Sequence, residues 1–192
     1  MERRNTMFDE VKRNFGFGCM RLPMNGEEVN TQEVNRMVDA FIEAGFNYFD
    51  TAHGYIDGKS EKAIKTCLTS RYPRDKYVLA NKLSDWFFEK EEEVRPLFEQ
   101  QLEICGVEYF DFYLFHALQR LSYAKHKECN TFEIVNQLHK EGKIRHIAMS
   151  FHDTADIWIR FFPNNRKLRW FSCKSTISTM MMPAFKARLA MT

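Results

Sequence analysis

Cysteine is scarce in this chain, and the few present do not cluster. Cys19, Cys67, Cys105, Cys129 and Cys173 are scattered through 192 residues, and no CxxC pair occurs. An odd, dispersed set of this kind excludes a disulfide framework and a cysteine-rich zinc site, and it fits a reducing, cytoplasmic setting. Long hydrophobic runs are also lacking: nothing approaches the ~18 apolar residues that a membrane span requires. The opening MERRNTMFDEVKR is charged with no apolar core behind it, so no signal peptide is expected. Hydrophobic residues at 44% and charged residues at 28% exclude disorder of the whole chain and give one domain enough apolar material for a core.

Acid is missing from one region. From Ile157 to Thr192 there are seven basic residues and no Asp or Glu, which leaves 21 of the 28 basic and all 26 acidic groups on residues 1–156, a net of −5. A basic tail on an acidic body can bind nucleic acid. Here Lys and Arg are not organised on a helical face, so no nucleic-acid partner is expected.

Residues 1–156 alternate between two periods. Short apolar runs predict buried strands at Phe15–Met20, Phe46–Asp50, Tyr77–Leu83, Tyr109–His116 and Ile144–Ser150. Between them run helical stripes: Val34, Met37, Val38, Phe41 and Ile42; then Ala63, Ile64, Cys67 and Leu68; then Leu97, Phe98, Gln101, Leu102 and Cys105; then Ile134, Val135 and Leu138. Pro96 is expected near the first turn of the third, after the acid-rich start Glu91–Glu93. Gly45, Gly106 and Gly142 follow stripes where left-handed C-caps belong. Four strand–helix repeats and a fifth strand mean an α/β protein with a parallel sheet, either doubly wound or part of a (β/α)8 barrel. Gly16-Phe17-Gly18 lacks the third glycine of a dinucleotide loop, where Arg21 stands, and Pro23 follows in place of a helix.

Polar residues gather instead at the carboxyl ends of strands: Asp50, Lys82, His116 and Ser150, with Tyr55 in the loop after Asp50. In a barrel that end carries the chemistry. A phenol, with a pKa of about 10, is a poor acid at neutral pH. A neighbouring ammonium favours its ionised form, and a buried ammonium needs a carboxylate partner. Tyr55 is thus the candidate proton donor, Lys82 its tuner, Asp50 the partner of Lys82, and His116 a donor that orients a carbonyl. Hydride must come from a cofactor, because no side chain supplies one.

The segments FGFGCMRLP, FDTAHGYIDGKSE, YVLANKL, GVEYFDFYLFHA and KEGKIRHIAMSFHD resemble the aldo-keto reductases in order and spacing over residues ~10 to 156. They are most similar to a bacterial branch whose full-length members often end in a ferredoxin-like iron–sulfur segment. The resemblance implies a (β/α)8 TIM barrel. It matches Asp50, Tyr55, Lys82 and His116 to the catalytic tetrad and implies a small carbonyl substrate. The hydride donor would be NADPH, or NADH, with Met20, Arg21, Asp50 and Ser150 at the nicotinamide and no metal. The asparagine that usually follows that serine is Phe151 here, and Asn81 before the lysine is unusual.

After Asp156 the pattern breaks, so the expected organisation is a barrel part over 1–156 and an aberrant basic tail over 157–192. A one-nucleotide deletion near codon 157 would account for the tail. Shifting the frame back turns Met180-Met181-Met182-Pro183 into X-Asp-Asp-Ala of necessity, because methionine has one codon. Five of eight βα units leave the barrel interior without an opposite wall, and Arg166, Lys167 and Arg169 would place charge where a sixth strand belongs. The alternative expectation is therefore an inactive truncated remnant of such an enzyme.

Overall fold

The structure is a computed structural model that describes residues 8–154, Ile157, 170–174 and 179–183. The chain begins with β1 (Gly16–Gly18), a hairpin of β2 (Met24–Asn25) and β3 (Glu28–Val29), and α1 (Thr31–Glu43). Then come β4 (Tyr48–Asp50), α2 (Lys59–Ile64), which runs into a π-helical turn at Lys65–Thr69, and β5 (Val78–Leu83). A 3₁₀ turn (Asp85–Phe87) leads to α3 (Glu91–Cys105), β6 (Phe110–Leu118), α4 (Arg120–Glu128), α5 (Thr131–Lys140) and β7 (Ile144–Phe151). β8 (Trp170–Lys174) and β9 (Thr179–Pro183) follow.

One sheet runs in the order β1-β4-β5-β6-β7-β8-β9. The first five strands are the five expected from the sequence, and all are parallel. The apolar runs are continuous because both faces are covered: all six residues of β5 are buried. Leu79 and Leu83 face the helices, with Phe49, Phe98, Tyr113, Phe115 and Met149. Val78 and Ala80 face the other way, toward Tyr48, Phe112, Leu114 and Ala148. Gly16 lies where a Cβ would come within 2.8 Å of the Tyr48 ring, so the GFG stretch lets β1 approach β4.

The helices follow their stripes, with local differences. In α1, Val34 and Val38 are buried while Met37 is 37% exposed, because the buried arc is narrower than the stripe. Asn30 caps α1 by accepting from Glu33 N at 3.0 Å. Gly45, Gly106 and Gly142 have φ of +83°, +66° and +76°, as C-cap positions require. Pro96 falls in the second turn of α3 instead of the first, since Glu91–Glu93 are themselves helical. The buried side of α3, from Val94 to Cys105, holds the helix despite the lost hydrogen bond. α4 has no counterpart in the sequence reading: it buries only Ser122 and His126 and has no apolar stripe.

Two features add to the expected open sheet. β8 pairs in parallel with β7, and β9 pairs antiparallel with β8. The free edge of β7 offers unpaired N–H and C=O groups, and backbone pairing there needs no side-chain alternation. The inner face of the sheet is also covered at its lower end, by residues 8–12. Phe8 packs edge-on to Phe112 with centroids 4.9 Å apart, and Val11 joins the same buried cluster. Asn47 donates to Glu10 O at 2.8 Å and accepts from Lys12 N at 2.9 Å, and Glu10 pairs with His146. Arg166, Lys167 and Arg169 lie outside the described residues.

Candidate active site

Asp50 ends β4, Lys82 stands near the end of β5 and His116 near the end of β6; by strand alternation all three fall on the inner face. Lys82 is 4% exposed. Its ammonium donates to Asp50 Oδ1 at 2.5 Å, to Thr51 O at 2.8 Å and to the Tyr55 hydroxyl at 3.1 Å. Burial works against that charge, but Asp50 and Tyr55 beside it outweigh burial and hold the ammonium above the usual lysine range. The structure thus brings Asp50, Tyr55 and Lys82 together.

Tyr55 is aimed by its own loop. Its N–H donates to Ala52 O, and its carbonyl accepts from Ser60 N. Ile56 and Asp57 follow with φ of +53° and +51°. A β-branched residue at positive φ is strained, and such strain concentrates at functional loops. His116 is placed by a second irregularity: Ala117 has φ +49°, and the register between β6 and β7 shifts between Phe115 and Leu118. Such a bulge re-aims the side chain beside it. The His116 ring stands nearly perpendicular to that of Tyr55, centroids 5.7 Å apart, and its Nδ1 lies 2.6 Å from Ser84 Oγ.

The residues expected at a nicotinamide are placed less tightly. Ser150 is buried on the inner face of β7, its hydroxyl 2.9 Å from His152 Nε2. Met20 and Arg21 lie exposed in the turn after β1, and the following Leu22 is buried. Phe151 faces the helix-side core, so it could not replace an asparagine beside Ser150.

Other residues at the site were not singled out from the sequence. Trp86 (52% exposed) and Phe87 (40%) stand over it, with Trp86 5.1 Å from His116 and Phe87 4.7 Å from His53. Behind Lys82, fully buried Glu61 bonds His53 Nδ1 at 2.7 Å and accepts from Asn81 at 2.7 Å and Gln101 at 3.2 Å. The unusual Asn81 therefore ties β5 to α2, and its Oδ1 accepts from Lys82 N at 2.8 Å. Glu61 reads in the sequence as one more polar helix residue; only its burial reveals it. Among the described residues, no group of three or more His, Cys, Asp or Glu side chains could hold a metal ion.

Comparison with known proteins gives a consistent result. The model of the aldo/keto reductase family matches residues 14–169. A 9,11-endoperoxide prostaglandin H2 reductase of Trypanosoma cruzi is 32% identical over 138 residues, covering 70% of this chain and 43% of that protein. An aldo/keto reductase of Klebsiella pneumoniae, solved with NADP and acetate, is 28% identical with a TM-score of 0.60, covering 75% of this chain and 47% of that one. Another from the same organism, solved with NADPH, is 24% identical with a TM-score of 0.66, covering 83% and 53%. This chain spans about half the length of the relatives it matches.

Proposed function

The chain belongs to the aldo/keto reductase family, and from that premise we propose that its site reduces an aldehyde or ketone to an alcohol with hydride from NADPH. The observation that carries this reading is the ammonium of Lys82 shared between Asp50 and the Tyr55 hydroxyl. The side chains around it suit a nicotinamide: a hydroxyl, a carboxylate, a thioether and a guanidinium stand at the carboxyl ends of β7, β4 and β1. Ser150, Asp50, Met20 and Arg21 would hold it. When bound, the nicotinamide supplies hydride to the carbonyl carbon.

The rest of the work belongs to the chain. His116 donates a hydrogen bond that orients the carbonyl. Negative charge gathers on the carbonyl oxygen as the carbon is reduced, and Tyr55 gives its proton to that oxygen. Lys82 stabilises the phenolate left behind, and Asp50 keeps Lys82 charged in a site that burial would otherwise neutralise. Four buried free cysteines among the described residues support a reducing, cytoplasmic setting. No helix among the described residues is long and apolar enough to cross a membrane.

Oxidation of NADPH on addition of a simple aldehyde, followed by nicotinamide absorbance, tests the reading. Aldehyde-dependent oxidation is the expected result, and its absence overturns it. A second reading, a catalytically silent chain that keeps the tetrad, is favoured by one observation: the described strands form an open sequence ending at β9. The same assay separates the two.

A further inference from the structure

We infer that Ser84 is a positioning residue that fixes the tautomer of His116, so that Nε2 carries the hydrogen offered to a substrate carbonyl. The inference rests on the proposed reductase reading, and it starts from a serine that does not do what its position suggests. Ser84 is the N-cap of the 3₁₀ turn Asp85–Phe87, yet its side chain makes no capping hydrogen bond. A serine there ordinarily accepts from the backbone of the turn it precedes. Instead Oγ lies 2.6 Å from His116 Nδ1, and Ser84 is fully buried.

Counting hydrogens decides the direction of that bond. A hydroxyl has one hydrogen to place and two lone pairs, and a neutral imidazole has one donor and one acceptor nitrogen. Were Nδ1 to donate, the buried O–H of Ser84 would need an acceptor of its own. Among the described residues Oγ has no partner except His116. A buried donor without an acceptor is costly, whereas an unused lone pair is tolerated more readily. Ser84 therefore donates, Nδ1 accepts, and the ring hydrogen sits on Nε2.

The neighbouring geometry makes this orientation matter. The bulge at Ala117 turns the His116 ring. Trp86 and Tyr55 hold its faces and edge at 5.1 and 5.7 Å between centroids. Rotation of the ring to exchange its nitrogens would have to displace both. The hydroxyl of Ser84 thus selects which nitrogen faces the reaction, on a ring already confined by its packing.

The test is long-range proton–nitrogen correlation on the full chain labelled with ¹⁵N, with His116 assigned by its loss in His116→Gln. The expected spectrum has a bare Nδ1 and a protonated Nε2. Ser84→Ala should move the ring toward the other tautomer while the circular dichroism stays unchanged, and Ser84→Thr, which keeps the hydroxyl, should restore the parent state. In the aldehyde assay, Ser84→Ala should lower kcat/KM by roughly 10–100-fold, the loss typical when the groups that orient metal-bound histidines are removed, with NADPH binding unaltered. A protonated Nδ1 in the parent chain, or an unchanged tautomer in Ser84→Ala, would overturn the inference. Absence of any aldehyde-dependent turnover would count against the reductase reading and leave the tautomer result standing.

Discussion

Two buried ion clusters stand at opposite ends of the same strands, and they are built differently. At the amino ends, the Asp111 carboxylate accepts from Arg74 at 2.6 Å, from Arg145 at 3.0 Å and from Leu79 N at 2.8 Å. The two guanidiniums also lie over the Tyr109 ring, at 4.0 and 4.2 Å from its centroid. There one carboxylate is shared by two guanidiniums, and aromatic packing pins the cations. At the carboxyl ends, one ammonium is divided among a carboxylate, a carbonyl and a phenol. The lower cluster ties the start of β5 to β6 and β7. The upper one sets the Tyr55 hydroxyl against a buried ammonium. The same physics of paired burial yields a rivet at one end and, in the proposed function, a proton donor at the other.

Breaking the upper cluster should have the larger effect, and on rate alone. Tyr55→Phe should lower kcat by roughly 10²–10⁴-fold, the usual worth of a positioned general acid. NADPH affinity and the urea midpoint should stay close to those of the parent. Equal rates would show that the phenol is not the proton donor.

Breaking the lower cluster should act on stability. Asp111→Ala leaves two guanidiniums without a carboxylate and the Leu79 N–H without its acceptor. The cost should be about 3 kcal/mol by urea denaturation, at the low end for a broken buried pair because both arginines reach solvent. The folded fraction should keep its turnover number.

His126 sharpens the contrast, since it is buried and forms no ion pair among the described residues. Burial, and then Lys125 nearby, push its pKa from 6.5 down to about 4. Among the described residues its Nε2 has no hydrogen-bond partner. Between those two pH values the unfolded chain binds the additional proton, so stability is full above 6.5 and declines as the pH falls toward 4. The slope contributed should approach about 1.4 kcal/mol per pH unit, and His126→Leu should flatten it. An unchanged slope in that variant would assign the acid sensitivity elsewhere. The smallest effect belongs to Arg145→Met: the Arg145 side chain is 49% exposed, so its ion pair should be worth about 0.5 kcal/mol in the same denaturation series.

What the sequence disclosed follows from periodicity. Asp50, Lys82 and His116 were legible because each interrupts or ends an apolar run, and Gln101 because it falls within a helical stripe. α4 was not, since Leu121 is 79% exposed and only a serine and a histidine are buried along it. Ser84, Trp86 and Glu61 were hidden for a different reason. Their significance lies in contacts with residues 32, 30 and 20 positions away, to His116, His116 and Asn81 respectively, and no local pattern encodes these. The strands of the tail escaped notice because edge pairing is a property of the backbone, to which side-chain alternation is indifferent.

The coverage of the lower inner face has a kinetic consequence. Residues 8–12 meet Asn47, 35 and 37 positions on, and Glu10 meets His146, 136 positions on. A contact of that span cannot form until nearly all of the described chain exists, and closing so long a loop carries an entropic cost that local helices avoid. The contact of Glu10 with His146 should therefore form late in folding. Until it does, the strand interior around Phe112 is open to water, and amide exchange at Val11 and Lys12 should report the final step of assembly.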